Sequence, residues 1–368
     1  MERIPTGRPS WTEAMRTAAI ETLDSKRWVK GPKCAQFAED FATYCGALDA
    51  SPCQNGSSAL WAALRMANIG PGDEVIVPSY TFISTATCIV LVGAKPVFVD
   101  VEPDFFCIDV GAVQQAISPA TKAVIGVHLF GQPYSPELLT LCATHKLTLI
   151  EDAAQAHGAS QMLSNGERRM AGALGDIGCF SFFPSKNMAV GGEGGMLTAT
   201  GETYALKMKG IINHGRNPNL ESIELGSNLR MSEVSAAIGL EQLKMLDKWV
   251  ARRRAIATRY AEAIAQNPLL KAPRVRIGAE HAWHQYCVQV ANADDLVQHF
   301  DALSIDARRY YTKPIHQQAV FAQHEQHTIE LPNTNRLRDS LVAIPVMHEL
   351  TDGEVERVVS ALLTFNGS

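Results

Sequence analysis

The sequence predicts an α/β protein whose large domain holds a mostly parallel sheet with helices on both faces. Two observations carry this prediction. Between about residues 58 and 200, short runs rich in Val and Ile alternate with stretches of helical periodicity. The strand candidates are almost continuously apolar, as expected for strands that are covered on both faces. After this region the composition changes, which indicates a second, smaller α+β domain toward the C-terminus.

The alternation assigns the elements of the large domain in turn. A glycine and two serines open an amphipathic helix over 55–70, with Leu60 and Leu64 on one face. Strand candidates then occupy 73–79, 95–101, 122–131, 147–154, 178–183 and 194–199, and helices over 84–93, 110–117 and 135–146 separate the first four of them.

A long helical stretch over 228–266 follows, with Ser232 as its predicted N-cap. We place the domain boundary inside this stretch. Residues 1–245, which include an N-terminal helix, then form the large domain, and residues 246–368 form the smaller one. The arginine run over 252–254 is expected to lie on a solvated face of the helix.

Bulk properties argue against several functions. The net charge of −5 is unlike that of a nucleic-acid-binding surface. No apolar run reaches the length of a membrane span, and the first residues lack the apolar core of a signal peptide. The eight cysteines occur singly, as in a reduced cytoplasmic protein, and the eleven histidines show no clear metal-ligand spacing. We therefore expect a cytoplasmic protein without a metal site.

Three features fall where open α/β sheets bind ligands, beyond the carboxyl ends of the strands. The first is the helix start at Ser57 and Ser58, which favours an anion such as phosphate; the alternative is a serine that only caps the helix. The second is Asp152, which ends an apolar strand. A desolvated carboxylate needs a positive partner, such as a protonated pyridine nitrogen, unless it only caps the next turn. Nearby, Gln155 is a candidate for contact with a ring substituent.

The third feature is Lys186, which lies between the apolar run 178–183 and the sequence GGEGG. Burial among apolar and glycine residues lowers the pKa of a lysine and makes its amine a nucleophile toward an aldehyde. The glycines allow the backbone to approach a bulky planar ligand. The alternative is an ordinary solvated loop lysine. Taken together, a phosphate-binding helix start, an acid at a strand end and a lysine in a glycine-rich loop occur in the order expected for pyridoxal phosphate (PLP).

Motifs over nearly the whole chain resemble one family. They include NGSSAL, VPSYTFISTA, IEDAAQAHGA, FSFFPSKNMAVGGEGG and NLRMSEVSAAIGLEQL. These motifs are similar to those of the DegT/DnrJ/StrS sugar aminotransferases, which are PLP-dependent enzymes of fold-type I, the aspartate-aminotransferase-like fold. The resemblance implies that Lys186 bonds to the cofactor and carries protons, and that Asp152 faces the pyridine nitrogen.

The resemblance also assigns the other cofactor contacts. Phe82 stacks on the ring face and Gln155 lies beside its phenolic oxygen. Ser57, Ser58 and Ser181 contact the phosphate. Asn228 reaches the phosphate of the neighbouring subunit, which implies a homodimer with shared active sites. One departure affects the rim of the pocket: relatives often have an aromatic residue before this asparagine, where the chain has Ser227.

For substrates, the resemblance implies an amino-acid donor, usually glutamate, and a nucleotide-linked keto-sugar as acceptor. Candidate substrate contacts are Lys30, Arg216, Arg308, Tyr310, Tyr311, Lys313 and His316. His284 is interpreted as a structural histidine. The alternatives are a keto-cyclitol aminotransferase, a PLP-dependent sugar dehydratase and a PLP-binding regulator. Some dehydratase relatives carry histidine at the lysine position, so Lys186 favours transamination.

Overall fold

The computed structural model describes residues 2–367. Its helices are α1 (Glu13–Asp24), α2 (Pro32–Cys45), α3 (Gly56–Met66), α4 (Ser84–Leu91), α5 (Val110–Ala116), α6 (Glu137–His145), α7 (Glu202–Ile211), α8 (Glu233–Leu243), α9 (Leu246–Ile264), α10 (Ala293–Ala302), α11 (Pro332–Ser340) and α12 (Asp352–Thr364). Its strands are β1 (Asp49–Cys53), β2 (Glu74–Pro78), β3 (Lys95–Val99), β4 (Thr121–Val127), β5 (Thr148–Asp152), β6 (Ser160–Met162), β7 (Arg168–Met170), β8 (Ile177–Ser181), β9 (Gly195–Ala199), β10 (Leu270–Lys271), β11 (Ala279–Glu280), β12 (Tyr286–Val290) and β13 (Leu341–Ile344).

The main sheet has seven strands in the order β1-β9-β8-β5-β4-β2-β3. The pairs from β3 to β8 are parallel, whereas β9 runs antiparallel to both of its neighbours. The predicted mostly parallel sheet is therefore confirmed. Each strand candidate in the alternating region corresponds to a strand of this sheet, with β3 at one edge and the others inside it.

Alternate residues of the strands face different helical layers. On β2, Val75 and Val77 pack with α3 and α4, while Ile76 points to the opposite face, where it packs with residues of α5 and α6. On β5, Leu149 and Ile150 divide in the same way. This two-residue period places helices on both faces of the sheet, as predicted.

A smaller antiparallel sheet, β10-β12-β13, packs against α9, α10 and α12 around a separate apolar cluster. A third antiparallel sheet has the order β11-β6-β7. The predicted smaller α+β unit is thus present. The division at residue 245 stays a prediction.

The predicted long helix over 228–266 is two helices. Ser232 caps α8, since its hydroxyl accepts the N–H of Ser235 at 3.1 Å, but the chain turns after Leu243 and α9 begins at Leu246. The expectation of a solvated arginine face is wrong for Arg253, which is only 4% exposed. Its Nη1 donates to the backbone carbonyls of Trp283 and His284, which a sequence pattern does not reveal.

Within residues 2–367, every helix is either too short or too polar to cross a lipid bilayer.

Candidate active site

A cavity of about 520 Å³ opens at the carboxyl ends of β4, β5 and β8. Val127, Asp152 and Ser181, the last residues of these three strands, all line it. The other lining residues are Asn55, Gly56, Ser57, Leu60, Thr81, Phe82, Ser84, Ala154, Gln155, Phe183, Ser185, Lys186, Glu193, His284, Gln285, Tyr310 and Tyr311. The structure therefore brings the three predicted features into one site.

Asp152 forms the floor of this cavity and is 6% exposed. The Thr85 hydroxyl donates to Oδ2 at 2.8 Å, and the N–H of Ala154 donates to Oδ1 at 3.2 Å. Burial raises the pKa of Asp152, while these hydrogen bonds and the charge of Lys186 oppose the rise. The carboxylate is held in one orientation and lacks a full counter-charge, so it suits a cationic group of a ligand.

Lys186 lies in the irregular loop between β8 and β9, where its N–H donates to the carbonyl of Phe183 at 2.8 Å. Desolvation lowers the pKa of Lys186 to about 8 from an ordinary value of 10.5, and the charge of Asp152 opposes this change. A minor fraction of the amine, roughly a tenth, is therefore neutral at pH 7, far more than for an ordinary lysine. The amine can act as a nucleophile and as a proton carrier.

The opposite end of the cavity is the start of α3. The Asn55 side chain caps this helix by accepting the N–H of Ser58 at 2.8 Å, and the Ser57 hydroxyl donates to that of Ser84 at 2.8 Å. Gly56 has no room for a side chain, because a Cβ there would lie 2.8 Å from the Cβ of Ser181. This close approach places the helix start beside β8 and makes a small cradle with N–H and hydroxyl donors, which fits a phosphate.

One side of the cavity is fixed by Gln155. The N–H of Phe130 donates to its Oε1 at 2.6 Å, and its Nε2 donates to the hydroxyl of Tyr311 at 3.3 Å. Tyr310 and Tyr311 are in turn held by Tyr80, whose hydroxyl donates to the carbonyl of Tyr310 and accepts the N–H of Tyr311 at 2.9 Å. These contacts couple the segment 310–311 to the ring-binding side of the site.

The mouth of the cavity is much less enclosed. Phe82 is 55% exposed and Phe183 is 46% exposed, and Glu193 from the glycine-rich loop is also exposed. Two large apolar rings at the mouth of a cavity indicate a surface that a ligand or a partner covers.

The DegT/DnrJ/EryC1/StrS aminotransferase family model matches residues 9–363. The chain belongs to this family. It is 37% identical to the UDP-N-acetyl-3-dehydro-alpha-D-glucosamine 3-aminotransferase of Acidithiobacillus ferrooxidans, a match that covers 94% of this chain and 92% of that protein. The predicted family is thus confirmed, and so is the aminotransferase class.

Solved structures agree with this family assignment. The structure of DesV from S. venezuelae superposes with a TM-score of 0.92 at 32% identity and covers 99% of this chain and 98% of its own. NtdA from Bacillus subtilis, solved with bound cofactor PMP, has a TM-score of 0.87 at 28% identity and covers 95% and 80%. The predicted fold and the PLP cofactor of this DegT-family enzyme are confirmed.

Several predicted residues lie outside the lining of the cavity. The N–H of Ser58 donates to the Asn55 side chain that caps α3. His316 is fully buried, with its Nδ1 2.5 Å from the Ser79 hydroxyl. The remaining ones lie on exposed loops: Lys30, Arg216, Asn228, Arg308 and Lys313. Their roles stay predictions, and the exposed ones depend on what covers the mouth of the cavity.

The structure adds site residues that the sequence analysis missed. Thr85 orients Asp152, but it lies in the polar helix start STAT, so nothing in the local sequence distinguishes it from Ser84 and Thr87. His284 and Gln285 line the cavity beside Lys186. No local pattern marks them, because their position depends on contacts between segments that are distant in the chain.

Proposed function

We propose that the enzyme transfers an amino group from an amino acid, with glutamate as the donor, to a nucleotide-linked keto-sugar. The observation that carries this proposal is that the half-buried Lys186, with its lowered pKa, lines the same cavity as the buried Asp152. The acceptor class is supported by relatives whose names specify UDP-linked and dTDP-linked sugars.

The residues of the cavity suit PLP. When bound, the cofactor supplies an electron sink that stabilises negative charge at the α-carbon of the donor. Asp152 faces the pyridine nitrogen and Gln155 the phenolic oxygen, while Phe82 lies against one face of the ring. Ser57 and Ser181 hold the phosphate at the start of α3, where backbone N–H groups and the helix dipole favour an anion.

Lys186 performs the proton transfers. In the first half-reaction, its neutral Nζ would accept the proton from the α-carbon of the amino acid and release it to the cofactor, so that the amine becomes neutral again. In the second half-reaction, Nζ would take a proton back from the cofactor and donate it to the carbon of the sugar that carried the keto group. Because a single amine serves both half-reactions, we expect ping-pong kinetics.

We also infer that the enzyme works as a homodimer. The exposed rings of Phe82 and Phe183 at the mouth of the cavity support this inference, as do the exposed positions of Asn228 and Arg216 on one loop. A partner subunit covers the rings and contributes these polar groups to the phosphate and the nucleotide. We place the enzyme in the cytoplasm, in line with eight cysteines that are free thiols, seven of them buried.

The proposed reaction is tested by incubating the PLP-loaded enzyme with glutamate and a panel of UDP-, dTDP- and GDP-linked keto-sugars. Mass spectrometry is expected to show an amino sugar and an equal amount of 2-oxoglutarate in at least one reaction, and neither product with Lys186→Ala. Loss of water from the sugar without consumption of glutamate would instead establish a dehydratase.

A further inference from the structure

An irregular segment over residues 281–285, which we call the 281–285 strap, contributes His284 and Gln285 to the cavity wall that also includes Lys186. Two of its carbonyl groups, those of Trp283 and His284, accept hydrogen bonds from Nη1 of Arg253 at 3.0 and 3.5 Å. The carbonyl of His281 accepts from Nε of Arg254 at 3.1 Å. Helix α9 therefore holds the strap by side chains rather than by strand pairing.

The lysine loop holds the same strap from the other side. Nδ2 of Asn187, the residue after Lys186, donates to the carbonyl of Ala282 at 2.8 Å. The N–H of Ala282 in turn donates to the carbonyl of Gly131 at 2.9 Å. Four successive carbonyls of the strap are thus fixed by side-chain donors, and its position is tied to the backbone of the catalytic lysine.

Holding the strap in this way requires the burial of a charged arginine, which is energetically unfavourable. This indicates that the position of the strap is important for the site. Arg253 is buried, and none of the ion pairs found within residues 2–367 includes it. Burial lowers the pKa of Arg253 to about 10, so its guanidinium is still charged at neutral pH. An unpaired buried charge is costly, and here Nη1 is directed to the strap, while Nε has no partner in the described chain.

The strap presents two polar side chains to the cavity, those of His284 and Gln285. His284 is 8% exposed, and its Nδ1 is buried without a hydrogen-bond partner in the described chain. Oε1 of Gln285 is also buried and also has no hydrogen-bond partner in the described chain. Such atoms also occur elsewhere in this chain, for example on Tyr286 and His157, but His284 and Gln285 line the cavity beside a reactive amine, where a ligand can supply the missing partner.

The charged side chains that line the cavity restrict which kinds of ligand can bind beside His284 and Gln285. Among the described lining residues, Lys186 is the only lysine or arginine. Burial and the charge of Lys186 lower the pKa of His284 well below 6.5, so its ring is neutral. An imidazole and an amide can each donate or accept a hydrogen bond, unlike a guanidinium, which only donates. A carboxylate would accept from an imidazole N–H of His284 and from the amide NH₂ of Gln285. A sugar hydroxyl would donate to the amide oxygen.

Resting on the proposed function, we propose that His284 and Gln285 form a shared polar subsite beside Lys186. The subsite binds the α-carboxylate of the amino donor in one half-reaction and a hydroxyl of the sugar, next to its keto carbon, in the other. A neutral pair accommodates both reactants, whereas a buried arginine would be left with an unmatched charge when the sugar is bound.

The first test compares His284→Leu and Gln285→Leu with His145→Leu, a control at the exposed end of α6. We expect each subsite variant to raise the KM for glutamate about 10- to 100-fold, the size expected for a lost hydrogen bond to a charged group, with a smaller change in kcat. The KM for the keto-sugar is expected to rise less, because its hydroxyl is neutral. The control is expected to leave both constants unchanged.

The second test does not depend on turnover. Wild-type protein that carries ¹⁵N-labelled histidine and PLP is titrated with glutarate, and the ring signal absent from His284→Leu is followed by NMR. Glutarate is expected to shift this signal to saturation, and Gln285→Leu is expected to weaken the response. If His284→Leu fails to fold, Gln285→Leu still tests the subsite by both measurements.

The two tests distinguish a failure of the proposed subsite from a failure of the proposed function. If wild-type enzyme consumes glutamate but the subsite variants keep its KM and the His284 signal ignores glutarate, the subsite is disproved and the proposed function stands. If wild-type enzyme binds PLP but consumes no amino donor, the proposed function fails, whatever the glutarate titration shows.

Discussion

The inner wall of the cavity and its mouth are built differently. On the inner wall, Asp152 and Gln155 are buried, and each is held by hydrogen bonds from the same chain. At the mouth, Phe82 and Phe183 expose about half of their surface and Glu193 is exposed. The inner wall is therefore preorganised within one chain, whereas the mouth depends on a ligand or a second subunit.

This difference indicates which residues act on the reacting atoms and which contribute mainly to binding. Groups that face the reacting atoms must be fixed before the reaction, because their electrostatic effect depends on preorganisation. Groups at the mouth contribute binding energy and can be supplied later by another molecule. Substitutions on the inner wall are therefore expected to affect turnover more than substitutions at the mouth.

The largest effect is expected for Lys186→Ala. Turnover is expected to fall by at least about 10³-fold, since the variant loses both the nucleophile and the proton carrier. Steady-state assays with glutamate measure this loss, and Lys122→Ala, an exposed lysine on β4, is the control. PLP is still expected to bind through Asp152 and the start of α3. Near-normal activity of the variant would refute the role of Lys186.

The next effect is expected for Asp152→Asn, which keeps the shape of the side chain but removes its charge. Turnover is expected to fall about 10²-fold, the size typical of losing one preorganised electrostatic group. Because burial raises the pKa of Asp152 in the folded state, wild-type protein gains stability as the pH falls through that pKa. Without cofactor, the variant is therefore expected to melt at a higher temperature than wild type at pH 7, with a smaller difference in acid.

A smaller effect is expected from pH alone. The rate at which cofactor-free protein forms its visible PLP absorbance is expected to rise with a midpoint near pH 8, because the pKa of Lys186 is about 8 and only the neutral amine reacts. In Asp152→Asn the midpoint is expected at lower pH, since the charge of Asp152 raises this pKa. A wild-type midpoint near pH 10, as for a solvated lysine, would contradict the enclosed position of Lys186.

The smallest effect is expected at the mouth. Phe82→Ala removes one aromatic contact and is expected to weaken PLP binding roughly 2- to 10-fold, in line with about 0.5–1.5 kcal/mol for such a contact. Its melting temperature without cofactor is expected to change little, because the ring is half exposed. Equilibrium dialysis measures the affinity, and the control is Ile277→Ala at a fully exposed position. A loss as large as that of Asp152→Asn would remove the distinction between wall and mouth.

The same division explains how much the sequence could predict. Six of the seven strands of the main sheet, and the acid at the end of β5, follow from apolar runs and from what interrupts them. The edge strand β1 is not predicted, because its sequence DASPC is not an apolar run. Lys186 is marked by its glycine-rich surroundings. These signals are local, and so the fold and the main residues of the inner wall could be predicted.

Other features depend on contacts between distant segments. Arg253 belongs to a run of three arginines that reads as a solvated face, yet it is buried because the strap supplies carbonyl acceptors. His284 was interpreted as structural but lines the cavity, and His316 was a substrate candidate but packs under Ser79. A pattern of neighbouring residues does not reveal such contacts, and the groups at the mouth depend further on a ligand or on the proposed second subunit.

The most direct test of the account is to locate the covalent attachment of the cofactor. PLP-loaded protein is treated with borohydride, digested, and mapped by mass spectrometry. The account predicts that the added mass lies on the peptide that contains Lys186, and that Lys186→Ala carries none. Attachment to another lysine, or no attachment in wild-type protein with a visible PLP band, would contradict it.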